Sequence, residues 1–219
     1  MVLEMKLIVG LGNPGRQYAR HRHNVGFKAI DRLADHHGIR GEKRKFHSIM
    51  AQGDILGTPC VLLRPTTYMN RSGMAVCAAL HYYKLDPDDS LLVVDDTALP
   101  CGQIRLRAAG STGGHNGLAD IELGLKTRAF PRLRIGVDDS GLVPQDQYVL
   151  NPFTSEQLER LEPAIEQACA CIESWTNTDI ETFKTVLSKL GKTSHLDHAF
   201  RAARFSSDAV WLDEYSSED

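Results

Sequence analysis

His23 stands in a basic stretch, Arg20-His21-Arg22-His23-Asn24, at the mouth of a predicted helix. A neutral imidazole near pH 7 takes a proton from water, so His23 is a candidate general base if an acid orients it. Asp95, ending the apolar run Leu91-Leu92-Val93-Val94, is the best-placed acid. A surface histidine in a basic loop and a turn carboxylate are the ordinary readings of these two residues taken singly. Asn13, Asn70 and Asn116 stand in loops flanked by glycine or methionine. Asparagine suits such turns for backbone reasons. Its carboxamide also donates and accepts without charge, which suits holding a carbonyl, an oxyanion or a water.

Other chemistries fit less well. The nine histidines include no H-E-x-x-H, and His21 and His23 are two residues apart and do not share a helix face, so no metal is expected. No G-x-S-x-G is present, and Ser72-Gly73 reads as a helix cap, so a serine triad is not expected either. Gly10, Gly12 and Gly15 satisfy G-x-G-x-x-G, but the next predicted helix starts only near Asn24. A pyrophosphate would then find no helix N-terminus, which speaks against a nucleotide-binding oxidoreductase. Cys60, Cys77, Cys101, Cys169 and Cys171 form no C-x-x-C pair and read as reduced, buried thiols.

The elements that must position these residues follow from periodicity. Apolar runs predict buried strands at Lys6–Gly10 and Leu91–Val94, with further strands at 46–52, 58–63, 103–107 and 132–137. The first strand is followed by a loop over 11–22. Between the second and third, turns are expected near Gly53-Asp54 and Gly57. Helices are predicted over 24–37, 72–84, 116–126, from Thr154 onward, and over 179–190. Thr154 and Gln157 have capping-box spacing, Leu158, Leu161, Ile165, Cys169 and Ile172 form one stripe, and Pro163 should kink that helix. Strands alternating with helices indicate one α/β domain with a mixed sheet flanked by helices.

Composition agrees. The 219 residues are 42% hydrophobic and 24% charged, with mean hydropathy −0.27, ordinary for a globular chain and unlike a disordered, collagenous or coiled-coil one. No run of about 18 apolar residues exists, and the N-terminus lacks the basic stretch of a secretion signal, so a cytoplasmic protein without membrane contact is expected. The net charge of −3 is uneven: residues 1–50 sum to +6, while 205–219 hold five acids and no base. We expect a domain over 1–204 and an acidic, flexible tail over 205–219. Such a lopsided surface suits a polyanionic partner.

Together the clusters resemble the bacterial-type peptidyl-tRNA hydrolase family. The resemblance lies in Lys6-Leu-Ile-Val-Gly-Leu-Gly-Asn-Pro-Gly15, Tyr18 with Arg22-His23-Asn24-x-Gly26, and Pro65-x-Thr-Tyr-Met-Asn-x-Ser-Gly73. It continues through Asp95-Asp96-x-x-Leu99-Pro100-x-Gly102, Gly113-Gly-His-Asn-Gly-Leu118, Phe130-x-Arg132-Leu-Arg-Ile-Gly136 and Tyr148-Val149-Leu150. It implies a monomeric α/β enzyme that cleaves the ester joining a peptide to the 3′ end of tRNA, without a cofactor. His23 would be the base, Asp95 its orienting acid, and Asn13 and Asn70 the holders of carbonyls and oxyanion. Asn116 and His115 would stand by the water and peptide backbone, and Tyr18 and Met69 would line the peptide groove. Arg105, Arg107, Arg132 and Arg134 would meet the acceptor-stem phosphates, with Lys43, Arg44 and Lys45 as a second basic run. Two departures stand out: Ala98 replaces a usual acid, and Asp138-Asp139 follows Gly136-Val137 where the family is usually glycine and basic or polar. A catalytically silent RNA-binding relative is the alternative, but it would be expected to have lost His23 or an asparagine.

Overall fold

Lys6–Gly10 forms strand β1, whose residues Leu7, Ile8 and Val9 are all buried because both faces of the sheet are covered here. The computed structural model describes residues 5–178 and 182. After β1 come helix α1 (Val25–His36), strands β2 (Lys43–Lys45), β3 (Ser48–Ile55) and β4 (Thr58–Pro65), and helix α2 (Ser72–Tyr83). Strands β5 (Ser90–Asp96) and β6 (Ile104–Arg107), helix α3 (Asn116–Leu125), strand β7 (Arg132–Gly136), the short α4 (Gln145–Tyr148) and α5 (Ser155–Thr176) complete it. The seven strands form one sheet in the order β2-β3-β4-β1-β5-β7-β6. The central four, β4, β1, β5 and β7, are mutually parallel, and the outer strands on both sides run antiparallel to their neighbours.

Alternation along each strand divides two cores. Ile8, Leu62, Val93 and Ile135 pack under α1 and α5, whereas Leu7, Val9, Leu63, Leu92 and Val94 pack under α2 and α3. The parallel strands all end at one edge, where β5 itself carries Asp95 and the segments leaving β1 and β4 carry Asn13 and Asn70. Gly26 lets the turn before α1 press onto that edge, since a Cβ there would lie 2.6 Å from the Leu11 amide nitrogen. The chain after Gly15 makes only short 3₁₀ turns at Arg16–Tyr18 and Arg22–Asn24, so no helix begins at the glycines.

Several boundaries differ from expectation. The third strand starts later and runs through Gly53, which pairs with Cys60 and leaves room for Ile39, so the turn falls at Leu56-Gly57. Strand β2 is wholly exposed and too polar for periodicity to reveal. Ser72 is the first residue of α2 and not its cap; its hydroxyl donates to the Met69 carbonyl. Leu158 points to solvent, and the stripe of α5 is completed instead by Ala164, Ala168 and Trp175. The capping box of Thr154 and Gln157 is present. The assigned helix α5 runs uninterrupted through Pro163, which is on its exposed side. Cys60, Cys101, Cys169 and Cys171 are buried and Cys77 half-buried, all as free thiols; burial pushes Cys60, Cys169 and Cys171 up to about 12. The expected helix over 179–190 and the tail over 205–219 lie outside the described residues. No helix among the described residues is long and apolar enough to cross a membrane.

Candidate active site

Adjacent residues at the end of β5 point to opposite faces, and this separates two functions. Asp95 faces the turn before α1, where its Oδ1 lies 2.7 Å from His23 Nδ1 and 3.2 Å from His115 Nε2. Asp96 faces away and takes Arg134 Nη1 at 3.0 Å. All three members of the Asp95 group are buried. Burial would push the Asp95 carboxyl up, but the facing imidazoles His23 and His115 together outweigh it and hold the group below the usual carboxylate range.

The hydrogen-bond pattern assigns the protons. His115 caps α3: its Nδ1 accepts from the amides of Gly117 and Leu118 at 3.1 and 3.2 Å. Its proton therefore resides on Nε2, which donates to Asp95. An ionised Asp95 likewise fixes a proton on His23 Nδ1, leaving Nε2 as the free acceptor. Around His23 lies a cavity of about 260 Å³, with Asp95, His115, Asn116, Gln145 and Val149 among its walls.

The same three side chains could be compared with a metal site, since their ligand atoms lie within 4.8 Å of one another. Those atoms are already joined by proton-bearing hydrogen bonds, and His115 presents its second nitrogen to a helix end. A metal would have to displace both protons and pull His23 Nδ1 off its carboxylate.

Asn13 is held as firmly as the base. Its amide donates to Asn24 Oδ1 and its carbonyl accepts from Asn24 Nδ2, both at 2.9 Å. The Met69 amide occupies Asn13 Oδ1 at 2.8 Å, so the carboxamide NH₂ is the group left to face a ligand. Asn70 follows Met69 in a 3₁₀ turn and is exposed, as is Asn116 in the first position of α3. The Met69 side chain departs from expectation. It is 4% exposed and belongs to the core with Leu11 and Leu118, so its backbone, not its thioether, serves the site. Tyr18 is half-buried, its ring edge-on to His21 at 5.3 Å and to the exposed Tyr68 at 6.4 Å.

Two organising residues escaped sequence reasoning. Arg22 is buried over the Tyr148 ring at 4.1 Å and donates to Gln157 Oε1 and to the carbonyls of Tyr148 and Asn151. With the His23 amide on the Val149 carbonyl at 2.9 Å, it ties the base to the wall formed by α4. Asn24 is the lock on Asn13. Both stood beside His23 in the sequence, but no spacing rule distinguishes a lock from a loop residue.

The four arginines share one sheet face, because Arg105 is opposite Arg134 and Arg107 opposite Arg132 in the β6–β7 register. Their environments differ. Arg105 and Arg107 are exposed, with no carboxylate partner among the described residues. Arg132 is 1% exposed, stacked 4.1 Å over Phe130, and donates to the carbonyls of Gly110, Ser111, Arg128 and Phe130. Burial, with Arg134 adding to it, pulls its guanidinium down to about 10. Arg134 is held between Asp96 and the Ser111 carbonyl. Asp138 accepts from the Cys101 amide, Gln157 and Arg160 at the start of α5.

A peptidyl-tRNA hydrolase family model matches residues 7–195. The chain is similar to the peptidyl-tRNA hydrolase of Carboxydothermus hydrogenoformans, 47% identical over 168 residues that cover 77% of this chain and 90% of that one. It is also similar to that of Bacillus cytotoxicus, 45% identical over 175 residues, covering 79% and 94%. Among solved structures, the peptidyl-tRNA hydrolase of Acinetobacter baumannii superposes with a TM-score of 0.77 at 35% identity, over 87% of this chain and 96% of that one. A 5′-methylthioadenosine nucleosidase of Arabidopsis thaliana, 10% identical with a TM-score of 0.51 over 82% and 98%, shares the fold alone.

Proposed function

The chain belongs to the peptidyl-tRNA hydrolase family and hydrolyses the ester between peptide and tRNA, and we propose that it does so with a water activated by His23. The observation that carries this reading is the 2.7 Å contact from Asp95 to His23 Nδ1, which leaves Nε2 to the cavity as base.

His23 Nε2 takes a proton from water as the water oxygen bonds to the ester carbonyl carbon. The carbonyl oxygen becomes an oxyanion, received by the carboxamide NH₂ of Asn13 and by Asn70. Asp95 stabilises the imidazolium that forms. When the tetrahedral intermediate collapses, the carbon–oxygen bond to the ribose breaks and the imidazolium returns its proton to that oxygen. Peptide acid and tRNA leave. An ester with a ribose leaving group is easier to cleave than an amide, so one oriented base suffices without a covalent serine. Asn116 positions water or peptide backbone, His115 holds Asp95, and Tyr18 stands at the peptide rim.

Peptidyl-tRNA is the substrate of the family. The acceptor stem is read here as meeting Arg105 and Arg107, which stand exposed on the edge strand; Arg132 and Arg134 support the loop above them. The reading extends to a monomer acting in the cytoplasm, with its catalytic domain over 1–204 and the acidic 205–219 outside it. A silent RNA-binding relative is disfavoured by the intact His23, Asp95, Asn13 and Asn70. Release of labelled acyl-amino acid from an N-acyl-aminoacyl-tRNA, with His23→Ala in parallel, tests the assignment. Equal rates for the two proteins would remove His23 from its role.

A further inference from the structure

A second cleft of about 610 Å³ opens beside Asn13 and runs toward the β2 edge, sharing no lining residue with the His23 cavity. Its volume is within the range of ligand sites. One end is Asn13 and Asn24; the far end is Arg44 on β2. Phe27 and Lys28 of α1 line it between, together with Asp31 and Arg64. In the sheet order it lies on the β4–β3–β2 side of β1, whereas the exposed arginines Arg105 and Arg107 lie beyond β5 on the other side.

The charges in the cleft are unequally committed. Arg64 bridges Asp31, at 2.6 Å, and Glu42, so its charge is locally offset. Half-buried Lys28 and exposed Arg44 have no carboxylate within ion-pair distance among the described residues. Phe27 contributes an apolar wall. A phosphodiester chain laid along this lining would meet the Asp31 carboxylate and Arg64, whose charge is already offset. A single carboxylate on a short methylene stem would instead rest its stem on Phe27 and its charge at Lys28 and Arg44.

We propose that this cleft is a subsite for the peptide half of the substrate, upstream of the esterified residue, and that Lys28 and Arg44 make it favour acidic side chains there. The proposal rests on the placing of the ester between His23 and Asn13 given above. The ester joins two chains that must leave the site in different directions. With tRNA phosphates on the uncompensated arginines of β6, the peptide passes Asn13 toward β2.

The test uses one tRNA carrying N-acetylated tripeptides with the same esterified residue and Glu-Glu, Ala-Ala or Lys-Lys upstream, beside an N-acetyl-aminoacyl-tRNA too short to reach the cleft. The full chain should give kcat/KM in the order Glu, Ala, Lys, with about a fivefold step from Ala to Glu, the scale of partly exposed charge pairs. Lys28→Gln with Arg44→Gln should collapse the three toward one value, and Lys28→Gln alone should leave the short substrate unchanged, which also certifies the fold of that variant. Lys28→Gln alone should remove part of the order. Equal kcat/KM for the three peptides in the unmodified chain overturns the proposal. So does a loss that is the same for every substrate, short one included, with a weaker salt dependence, which would mark Arg44 as an RNA contact. Failure of the unmodified chain to cleave the short substrate would instead overturn the hydrolytic reading of His23.

Discussion

At the end of β5 the side chains are spoken for: Asp95 carries two imidazoles, His115 bonds a helix end, and Asn13 is fixed on three sides. Two strands away, at the β6 edge, Arg105 and Arg107 reach into solvent with no carboxylate partner among the described residues. The chemical centre fixes its geometry by committing Asp95, His115 and Asn13 to hydrogen bonds within the fold. On the proposed reading the edge meets a polyanion, which rewards cations that are free to move to it. Loss of one group should therefore change rate at the centre and affinity at the edge.

The largest expected effect is His23→Ala. A positioned general base contributes about 10²–10⁴-fold, so kcat should fall by about 10³, equivalent to about 4 kcal/mol, while tRNA binding by filter or titration stays within about twofold. A matched loss of binding would erase the distinction between the two regions. Since only a neutral imidazole accepts the proton, kcat/KM of the unaltered chain should fall on the acid side of its pH profile. A flat profile would exclude His23 as base. A chelator should leave the rate unchanged; loss with chelator and return with zinc would turn the Asp95 cluster into a metal site.

Asp95→Asn should lower kcat by about 10²-fold, because the amide cannot hold the imidazolium or fix the tautomer. It also carries a stability signature. The Asp95 carboxyl titrates lower in the folded than in the unfolded chain, so its contribution is present above the ordinary carboxylate range, about 3.9, and is lost as pH falls. The difference in urea stability between the unaltered chain and Asp95→Asn should thus be largest near neutral pH and shrink below about pH 4. A difference constant down to pH 3 would contradict the depressed carboxyl.

The arginines sharpen the comparison within the edge itself. Arg132→Met leaves four backbone carbonyls without their donor and should cost roughly 2 kcal/mol in urea unfolding, whereas Arg107→Met should stay within about 0.5 kcal/mol. Smallest of all, Arg105→Ala or Arg107→Ala should raise KM a few-fold at unchanged kcat and reduce the log–log salt slope by about 0.7–0.9. If neither does, the tRNA path lies elsewhere.

The pairing of His23 with Asp95 was legible before folding, for a physical reason. His23, Asp95, Asn13 and Asn70 sit just beyond apolar runs or at helix mouths, and such runs are read locally. Strand periodicity likewise determines that Arg105 shares a face with Arg107 and Arg132 with Arg134, and that Asp95 and Asp96 do not; the β6–β7 register then puts the two arginine pairs on one face. What periodicity does not contain is the cover over that face. The segment near Gly110, distant from β7 in sequence, and the ring of Phe130 bury Arg132, while Arg107 stays exposed. Met69 resembled a groove residue because it adjoins Asn70, and only its packing between Leu11 and Leu118 assigns its side chain to the core. Leu158 fitted the stripe of α5 at the level of spacing, but the helix docks on Ala164, Ala168 and Trp175, rotated away from it. The exposed β2 and the cap by His115 are local but carry no apolar period to read, whereas the lock of Asn24 on Asn13 joins two turns that meet only once the chain has folded.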